Sequence, residues 1–315
     1  MPNKNPNAQT HYVAALEETP VETVDRLDES QKARSTWADA WDAMRVRPSF
    51  WISSALILLI VIVALFPSLF AQASPTQCDL GDSHAGPSDG HPLGFTRQGC
   101  DIYARIIFGT QASVTVGLLA TMLVTFTGIV VGSLAGYYGG LLDSIVSRIG
   151  DIFFAVPTVL GAIVLMSVLP ERTPVTIALV LSLFAWPQIA RIMRGAVLSA
   201  RNSDYVTASV ALGVSRFRIL LRHVVPNSIA PVIVIATVSL GTFIVAEATL
   251  SFLGIGLPPG IMSWGNDIDA AKSSLRTNPQ VLLYPAAALS VTVLAFLMLG
   301  DVVRDALDPE ARARR

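Results

Sequence analysis

The chain has 315 residues, of which 52% are hydrophobic and 14% are charged, and its formal net charge is -1. A soluble domain usually carries about 25% charged residues, so this composition excludes an ordinary soluble protein. The mean hydropathy of +0.56 instead predicts an all-α protein that crosses a membrane several times. The first stretch of the chain is polar and lacks a short apolar core with a cleavage site, so no cleavable signal peptide is expected.

The polar N-terminal segment divides into two parts. Residues 1–34 are rich in Glu, Asp, Asn, Thr and Pro and poor in aromatic residues, so we expect a disordered cytoplasmic tail. In residues 35–49, Trp37, Trp41 and Met44 recur at the spacing of one helix face. Because tryptophan prefers the membrane interface, this segment is predicted to be an elbow helix along the inner face of the bilayer. Binding of nucleic acid or of a calmodulin-like partner would need far more basic charge.

Six apolar stretches are long enough to cross about 30 Å of hydrocarbon as helices. The predicted spans are 50–71, 113–137, 145–169, 175–198, 229–253 and 281–303. The last five belong to a predicted core, 111–308, which is followed by a short tail, 309–315.

Glycine and proline positions give further detail within these spans. Gly128, Gly132 and Gly136 form small-xxx-small pairs in the second span, a pattern that favours close helix packing in lipid. Pro157 is predicted to break the third span and Pro187 to kink the fourth.

Basic residues are distributed unevenly between the segments on the two sides of the membrane. If the N-terminus is cytoplasmic, the inside segments hold Arg34, Arg45, Arg47, Arg148, Arg191, Arg194, Arg201, Arg216, Arg218, Arg222, Arg304, Arg312, Arg314 and Arg315. The outside segments then hold only Arg97, Arg105, Arg172, Lys272 and Arg276. By the positive-inside rule, both termini are predicted to be cytoplasmic.

The segment 72–110 is then an extracytoplasmic loop that contains both cysteines of the chain, Cys78 and Cys100. Oxidising conditions outside the cytoplasm favour a disulfide between them. His84 and His91 lie between the two cysteines, so a Cys/His metal site is an alternative. The spacing matches no standard zinc pattern, and the disulfide is therefore favoured over a metal.

A polar, Arg-rich loop, 202–227, connects the fourth and fifth spans on the cytoplasmic side. Ser203 and Asp204 are residue types that cap helix N-termini, and Gly213 lies where the following short helix would end in a left-handed turn. A second, basic helix is predicted over 214–225. The loop is thus expected to form a compact knob at the membrane face, where a soluble partner could bind and move the spans. An ordinary cytoplasmic connector is the alternative interpretation.

One ionisable residue, Glu247, lies deep in the fifth predicted span. A carboxyl group is costly in hydrocarbon, so it should face a partner or a water-filled path. It could line a translocation route, or it could be a satisfied polar group that fixes helix packing. The Gly- and Pro-rich stretch that follows predicts irregular backbone and an extracytoplasmic gate or docking surface. The residues assigned to this path or gate are Glu247, Ser251, Phe252 and Trp264.

Several catalytic motifs are absent from the sequence. There is no phosphate-binding Gly-x-x-x-x-Gly-Lys-Ser/Thr loop, so the chain cannot be its own ATPase. There is no His-Glu-x-x-His and no Gly-x-Ser-x-Gly, so no catalytic residue is predicted and the chain is not expected to be an enzyme. Energy for any pumping would have to come from a partner at the Arg-rich loop.

Short sequence blocks occur along the chain in a characteristic order. The blocks are 91–109, 151–157, 207–213, 222–227, 247–265 and 300–309. In order and spacing they resemble the permease subunits of binding-protein-dependent ABC importers, within the group that carries dipeptides, oligopeptides and nickel. Thr207 and Ser209 differ from the family's usual acidic and small residues, and Cys100 replaces a common Arg, which strengthens the expectation of a disulfide.

This resemblance implies a type I importer permease in the bacterial inner membrane. It implies pairing with a second permease, two ABC ATPase subunits that bind ATP and Mg, and an extracytoplasmic solute-binding protein, with a peptide as the substrate. No cofactor is expected on this chain itself. The residues assigned to ATPase coupling are Ser203, Asp204, Tyr205, Thr207, Ala208, Ser209, Gly213, Arg216 and Arg218.

Other functions remain open at the level of sequence. Relatives also carry nickel chelates and haem, so the cargo is not fixed by these motifs. A secondary transporter or channel would need no ATPase, but it should show inverted repeats or several buried charges. A membrane scaffold would need neither the knob nor Glu247.

Overall fold

The computed structural model describes residues 36–307, so the predicted tails 1–34 and 309–315 lie outside the described range. Within this range the chain forms helices joined by loops, with no β-strand beyond isolated bridges. The helices are α1 (Thr36–Arg45), α2 (Pro48–Leu65), α3 (Pro67–Phe70), α4 (Ile102–Tyr138), α5 (Gly140–Ala155), α6 (Thr158–Val168), α7 (Pro174–Ala200), α8 (Asp204–Ala211), α9 (Arg216–Ile219), α10 (Val225–Ser228), α11 (Ala230–Phe252), α12 (Trp264–Ala271) and α13 (Gln280–Leu307).

Five of these helices are long and apolar enough to cross a membrane: α2, α4, α7, α11 and α13. Helices α5 and α6 pass the same test only together, and they meet at an angle of 82°. The break lies at Val156 and Pro157, where proline cannot donate the backbone hydrogen bond that would continue α5. The fold is therefore that of a helical membrane protein with five spans, or six if the bent pair counts as one.

Close packing of α4 against α7 forms the centre of the fold. A Cβ added at each of three glycines of α4 would overlap atoms of α7, at positions that lie further along α7 for each later glycine. The pairs are Gly128 with Ile189, Gly132 with Ala190 and Gly136 with Arg194. The two helices therefore run parallel and their backbones approach closely, as the small-xxx-small pattern predicted. Pro187 does not interrupt α7, which continues through it to Ala200.

The path of the chain fixes two ends of the molecule. Arg201, just after α7, donates a hydrogen bond to the carbonyl of Gly136 near the end of α4, so both helices finish at one end. We call this the knob end because it carries residues 202–227. Helix α4 starts at the opposite end, beside the loop 72–101, which a disulfide between Cys78 and Cys100 closes. We call that end the disulfide end.

Other contacts place the remaining helices between these two ends. Arg172, just before α7, donates to the carbonyl of Gly254, just after α11, at the disulfide end. Arg47, just before α2, forms an ion pair with Asp305 at the end of α13, which places both at the knob end. The bent pair α5–α6 thus carries the chain from the knob end back to the disulfide end. The chain crosses between the ends six times, and the described range begins and finishes at the knob end.

The first predicted span is interrupted near its end. Helix α2 stops at Leu65, Phe66 adopts a non-helical conformation, and Pro67 starts the separate turn α3. Before this span, α1 presents Trp37 and Trp41 with about half of their surface exposed (47% and 49%). This placement suits an interfacial elbow.

The helix that contains the second predicted span begins before that span. Helix α4 starts at Ile102, inside the predicted loop 72–110, because the carboxylate of Asp101 accepts a hydrogen bond from the backbone N–H of Ala104 at 2.6 Å. A side-chain acceptor at this position satisfies a donor that a helix start leaves unpaired. The irregular part of the predicted loop therefore ends at Asp101, and residues 102–110 belong to α4.

Candidate functional site

The knob is built on the eight-residue helix α8. Ser203 occupies its N-cap position, but its side chain makes no capping bond, contrary to expectation. Instead, the backbone carbonyl of Ser203 accepts from the N–H groups of Val206 and Thr207 at 3.0 and 3.2 Å. Val206 is the buried residue of α8, with 4% of its surface exposed, and it anchors the helix to the body of the protein.

Gly213 ends α8 as the sequence predicted. Its φ is +75°, in the left-handed region that glycine adopts without strain. The N–H of Gly213 donates to the carbonyl of Val210 at 2.9 Å, and the N–H of Val214 donates to that of Ser209 at 3.2 Å. These two bonds form a Schellman motif, which satisfies the last carbonyls of α8 and fixes the direction of the chain beyond it.

The knob presents apolar side chains outward. Leu212 is 83% exposed, Phe217 is 58% exposed, Val210 is 54% exposed and Tyr205 is 40% exposed. The basic residues Arg216 and Arg218, and the predicted coupling residues Asp204, Thr207 and Ala208, are also exposed. Ser209 is partly exposed, and its hydroxyl donates to the carbonyl of Tyr205. Several exposed apolar side chains in one short segment outside the spans indicate a protein contact.

The second part of the knob is less regular than the single helix predicted over 214–225. The chain forms α9, then a π-helical turn over Leu220–Val224, then α10. Ile219, Leu220 and Val224 are buried and attach this segment to the body of the protein. Since α10 leads at once into α11, the knob is joined to a span with no flexible linker between them.

At the disulfide end, Glu247 is fully buried, with none of its surface exposed. Its carboxyl group accepts a hydrogen bond from the hydroxyl of Ser113 in α4 at 2.9 Å, and a second from Ser251 in α11 at 2.8 Å. The Ser251 hydroxyl also accepts from the backbone N–H of Leu257 at 3.1 Å. Glu247 therefore joins two spans and the irregular segment that follows α11.

Trp264 starts α12 and is also buried, with 2% of its surface exposed. Its indole N–H donates to the carbonyl of Ile106 in α4 at 3.1 Å, and its backbone N–H lies 3.4 Å from the Ser113 hydroxyl. The side-chain hydroxyl of Ser263 caps the helix by accepting from the N–H of Asn266 at 3.2 Å. Helix α12 is thereby held against the start of α4.

A buried ion pair strengthens the same contact. The guanidinium of Arg105 in α4 lies 2.5 Å from the carboxylate of Asp267 in α12, and both side chains are largely buried. Burial raises the pKa of Asp267, while the charge and hydrogen bonds of Arg105 act in the opposite direction. Removing either partner would leave the other charge buried and uncompensated, which is strongly unfavourable.

Two cations hold the end of α11. Lys272 donates to the carbonyl of Phe252 at 2.7 Å, and its ammonium lies 3.7 Å from the centre of the Phe252 ring. Arg172 donates to the carbonyl of Gly254 at 3.2 Å. Cations are favourable at helix C-termini, where carbonyl groups are left without helical partners. Phe252 is 37% exposed, so among the four predicted gate residues it alone presents substantial surface.

The loop before α4 is closed by a disulfide between Cys78 and Cys100, the pair favoured by the sequence. His91 contacts the carboxylate of Asp101, and His84 lies 3.5 Å from the hydroxyl of Ser274. In residues 36–307, no three His, Cys, Asp or Glu side chains gather as ligands for a metal ion.

The predicted residues thus form two separate groups, one at each end. The structure brings Glu247, Ser251 and Trp264 together in the interior at the disulfide end, where they link helices in this conformation. Ser113, the partner of Glu247, and the ion pair between Arg105 and Asp267 were not predicted, because in each contact the two residues lie more than a hundred positions apart along the chain. The sequence offered one sign of such a contact, which is the charged residue Arg105 close to an apolar span.

Comparison with known proteins agrees with this architecture. Residues 128–313 match the family described as binding-protein-dependent transport system inner membrane component. Residues 35–87 match the N-terminal TM domain of oligopeptide transport permease C.

Individual relatives cover nearly the whole chain. The oligopeptide transport system permease protein OppC of Bacillus subtilis is 36% identical over 90% of this chain and 92% of its own. The glutathione transport system permease protein GsiD of Pectobacterium atrosepticum is 32% identical, over 90% of this chain and 94% of its own. The dipeptide transport system permease protein DppC of Alkalihalophilus pseudofirmus is 32% identical, over 91% and 94%. The chain therefore belongs to the inner membrane components of binding-protein-dependent transport systems, as a multi-pass permease of the peptide-type ABC importers.

Proposed function

We propose that this permease couples ATP hydrolysis by partner subunits to the import of short peptides. In this proposal it pairs with a second, similar permease, and peptides pass between the two. Two ABC ATPases bind the knob, and they carry the ATP and Mg. An extracytoplasmic binding protein delivers the peptide at the disulfide end.

The observation that carries the proposal is the rigid apolar surface of the knob. Leu212 and Phe217 expose most of their side chains, and the Schellman motif at Gly213 holds the two parts of the knob in one arrangement. When a bound ATPase subunit moves, the knob would move with it as a rigid unit. Helix α11 would follow, because α10 continues directly into it. Nucleotide would then shift the population between inward- and outward-open states through its differential binding to them.

The charge distribution supports a cytoplasmic knob end. Arg216, Arg218 and Arg222 all lie in the knob, while the two ends of the described chain lie on the same side. Positive residues in short loops favour the cytoplasmic side of a membrane. We therefore assign the knob end and both termini to the cytoplasm and the disulfide end to the outside.

Short peptides are the proposed cargo because the relatives are named for oligopeptide, glutathione and dipeptide transport. At the outer end, the exposed ring of Phe252 and the segment after it are proposed to form the gate or docking surface. Glu247, Ser251 and Trp264 would support that surface from within, since all three are buried.

The proposal is tested by reconstituting the chain with its partner subunits in vesicles and measuring ATP-dependent uptake of a labelled dipeptide. The variant Leu212→Asp places a charge on the most exposed apolar side chain of the knob. We expect uptake and copurification of the ATPase to fall by about tenfold or more, as when a central interface residue is lost.

The matched control is Leu80→Asp, which changes a leucine that is 76% exposed at the opposite end. This variant should keep the ATPase bound. Unchanged ATPase binding and uptake in Leu212→Asp would contradict the coupling role, and transport by the wild type without ATP would favour a secondary transporter.

A further inference from the structure

Two ion pairs join α5 to α7 in the half of the membrane region nearest the knob end. In the first, Arg194 donates through two nitrogens to both carboxylate oxygens of Asp143, one of them at 2.7 Å. One positive and one negative charge meet in the paired geometry that arginine and carboxylate prefer. This pair is complete and leaves no excess charge.

The second group is not balanced. The carboxylate of Asp151 lies 3.2 Å from Arg191 and 3.6 Å from Arg148. A guanidinium group carries five N–H donors and no acceptor, so two of them can bind more than one carboxylate. Asp151 compensates only one of the two charges, and Asp143 is already engaged by Arg194. The group therefore has one positive charge in excess.

These side chains are exposed in the single chain. Arg148 is 85% exposed, Arg191 is 59% exposed and Asp151 is 52% exposed. Arg191 lies with its guanidinium carbon 4.1 Å above the centre of the Phe154 ring, which orients it without using its N–H donors. Donors of both arginines are thus available to an outside anion.

The depth of Arg191 argues against exposure to lipid tails. At about 1.5 Å per residue, α7 is about 40 Å long, and Arg191 lies about 14 Å from its end at Ala200. If the helix is centred on about 30 Å of hydrocarbon, Arg191 lies about 9 Å inside the apolar layer. An exposed charge at that depth is costly unless it faces water or a polar partner. This face of α5 and α7 is therefore expected to meet water or a polar partner rather than lipid tails.

A cavity of about 230 Å³ opens beside the group. Arg191, Arg194 and Asp151 form part of its wall, while Phe154 and Trp186 supply apolar surface. An anionic group with an adjoining apolar side chain would fit such a lining. A peptide with a free C-terminal carboxylate has this chemistry.

We propose that Arg148, Arg191 and Asp151 form a carboxylate site in the inner half of the translocation route, which receives the C-terminus of a peptide in transit. The proposal rests on the proposed function for the identity of the cargo. Asp151 keeps the two guanidinium groups positioned and limits their net charge, so binding is weak enough for release. The phosphate of an anionic lipid shares the same chemistry, and the experiment separates the two sources.

The experiment measures protection of an introduced cysteine, which is independent of transport. Ser147→Cys places a partly exposed thiol in the cavity wall, and both native cysteines are held in the disulfide. The full chain with its partner subunits is placed in nucleotide-free nanodiscs of phosphatidylcholine and treated with a water-soluble maleimide. We expect labelling to occur, and a tripeptide with a free carboxylate to slow it about tenfold at saturation, whereas its C-terminal amide should not.

Adding Arg191→Gln should abolish the protection, and Arg148→Gln should do the same with less risk to folding because Arg148 is the more exposed side chain. Absence of labelling, equal protection by acid and amide, or protection that survives both substitutions would overturn the proposal. Protection that needs phosphatidylglycerol in the disc and no peptide would assign the site to lipid. A wild type that shows carboxylate-specific protection but no ATP-driven uptake would refute the proposed function while leaving the site intact.

Discussion

Ser113 of α4 donates a hydrogen bond to the buried carboxyl group of Glu247 in α11, and the same hydroxyl lies 3.4 Å from the backbone N–H of Trp264 in α12. One serine thus connects three helices at the disulfide end. Ser251 makes the equivalent connection from the other carboxyl oxygen to the backbone of Leu257. The irregular segment after α11 is held in place by this carboxyl group and its two serines.

Loss of the Glu247 carboxyl group should destabilise this end. Glu247→Ala leaves two buried hydroxyl donors without an acceptor, at about 1–3 kcal/mol each, and adds a cavity. Glu247→Gln keeps an oxygen acceptor and should cost less. The melting temperature of the purified complex should fall most for Glu247→Ala. Thr249→Ala is the control, because Thr249 is partly exposed and its hydroxyl bonds only to its own helix. Equal melting temperatures for Glu247→Ala and Glu247→Gln would contradict the stabilising role of the carboxyl group.

The approach of α4 to α7 should depend on Gly132. A Cβ at this position would overlap the backbone oxygen of Ala190, which cannot move independently of its helix. Gly132→Ala should destabilise the protein by about 1–3 kcal/mol, as overpacking does. Gly195→Ala is the matched control, since a Cβ there meets nothing within 4 Å. In thermal unfolding, Gly132→Ala should have the lower melting temperature of the two variants. A Gly132→Ala variant as stable as Gly195→Ala would refute the close approach of the two helices.

The disulfide should stabilise the loop that it closes and should matter little for the spans. Cys78 and Cys100 are 22 residues apart, and closing a loop of this size restricts the unfolded segment by about 3 kcal/mol in the chain-entropy account. Cys78→Ser, Cys100→Ser and the double variant should all show the same increase in proteolysis within 72–101, measured by mass spectrometry. An increase confined to one single variant would indicate a role for that side chain beyond the bond.

Gly213 should be required for its backbone conformation alone. Its φ of +75° is unfavourable for residues with a Cβ, while a Cβ there would meet no neighbour within 4 Å. Gly213→Val should therefore weaken ATPase copurification more than Gly213→Asn, because asparagine tolerates the left-handed region. Identical behaviour of the two variants would show that the Schellman motif does not set the shape of the knob.

Much of the helical framework followed from sequence pattern, for identifiable reasons. Apolar length predicted the spans, Pro157 predicted the break in the third span, and Gly213 predicted the end of α8. These features depend on residues close together in sequence. Helix α4 begins before the predicted span 113–137 because the side chain of Asp101 caps it at Ala104, and a count of apolar residues contains no information on capping.

The connections within the candidate sites could not be predicted in the same way. The contact of Arg105 with Asp267 spans 162 residues, and that of Ser113 with Glu247 spans 134. Such pairs depend on how helices pack, which periodicity within one helix does not specify. The π-helical turn over Leu220–Val224 also lacks a local signal, since the same residues would fit a continuous α-helix.

The most direct test of the coupling role is a crosslink from the knob to the ATPase. Val210→Cys places a thiol on the exposed side of α8, and Glu171→Cys places one on an exposed loop at the disulfide end. In native membranes with the partner ATPase present, Val210→Cys should crosslink to the ATPase with a yield that changes on adding ATP, and Glu171→Cys should give no such product. A correctly assembled Val210→Cys protein that never crosslinks, with or without ATP, would contradict the account.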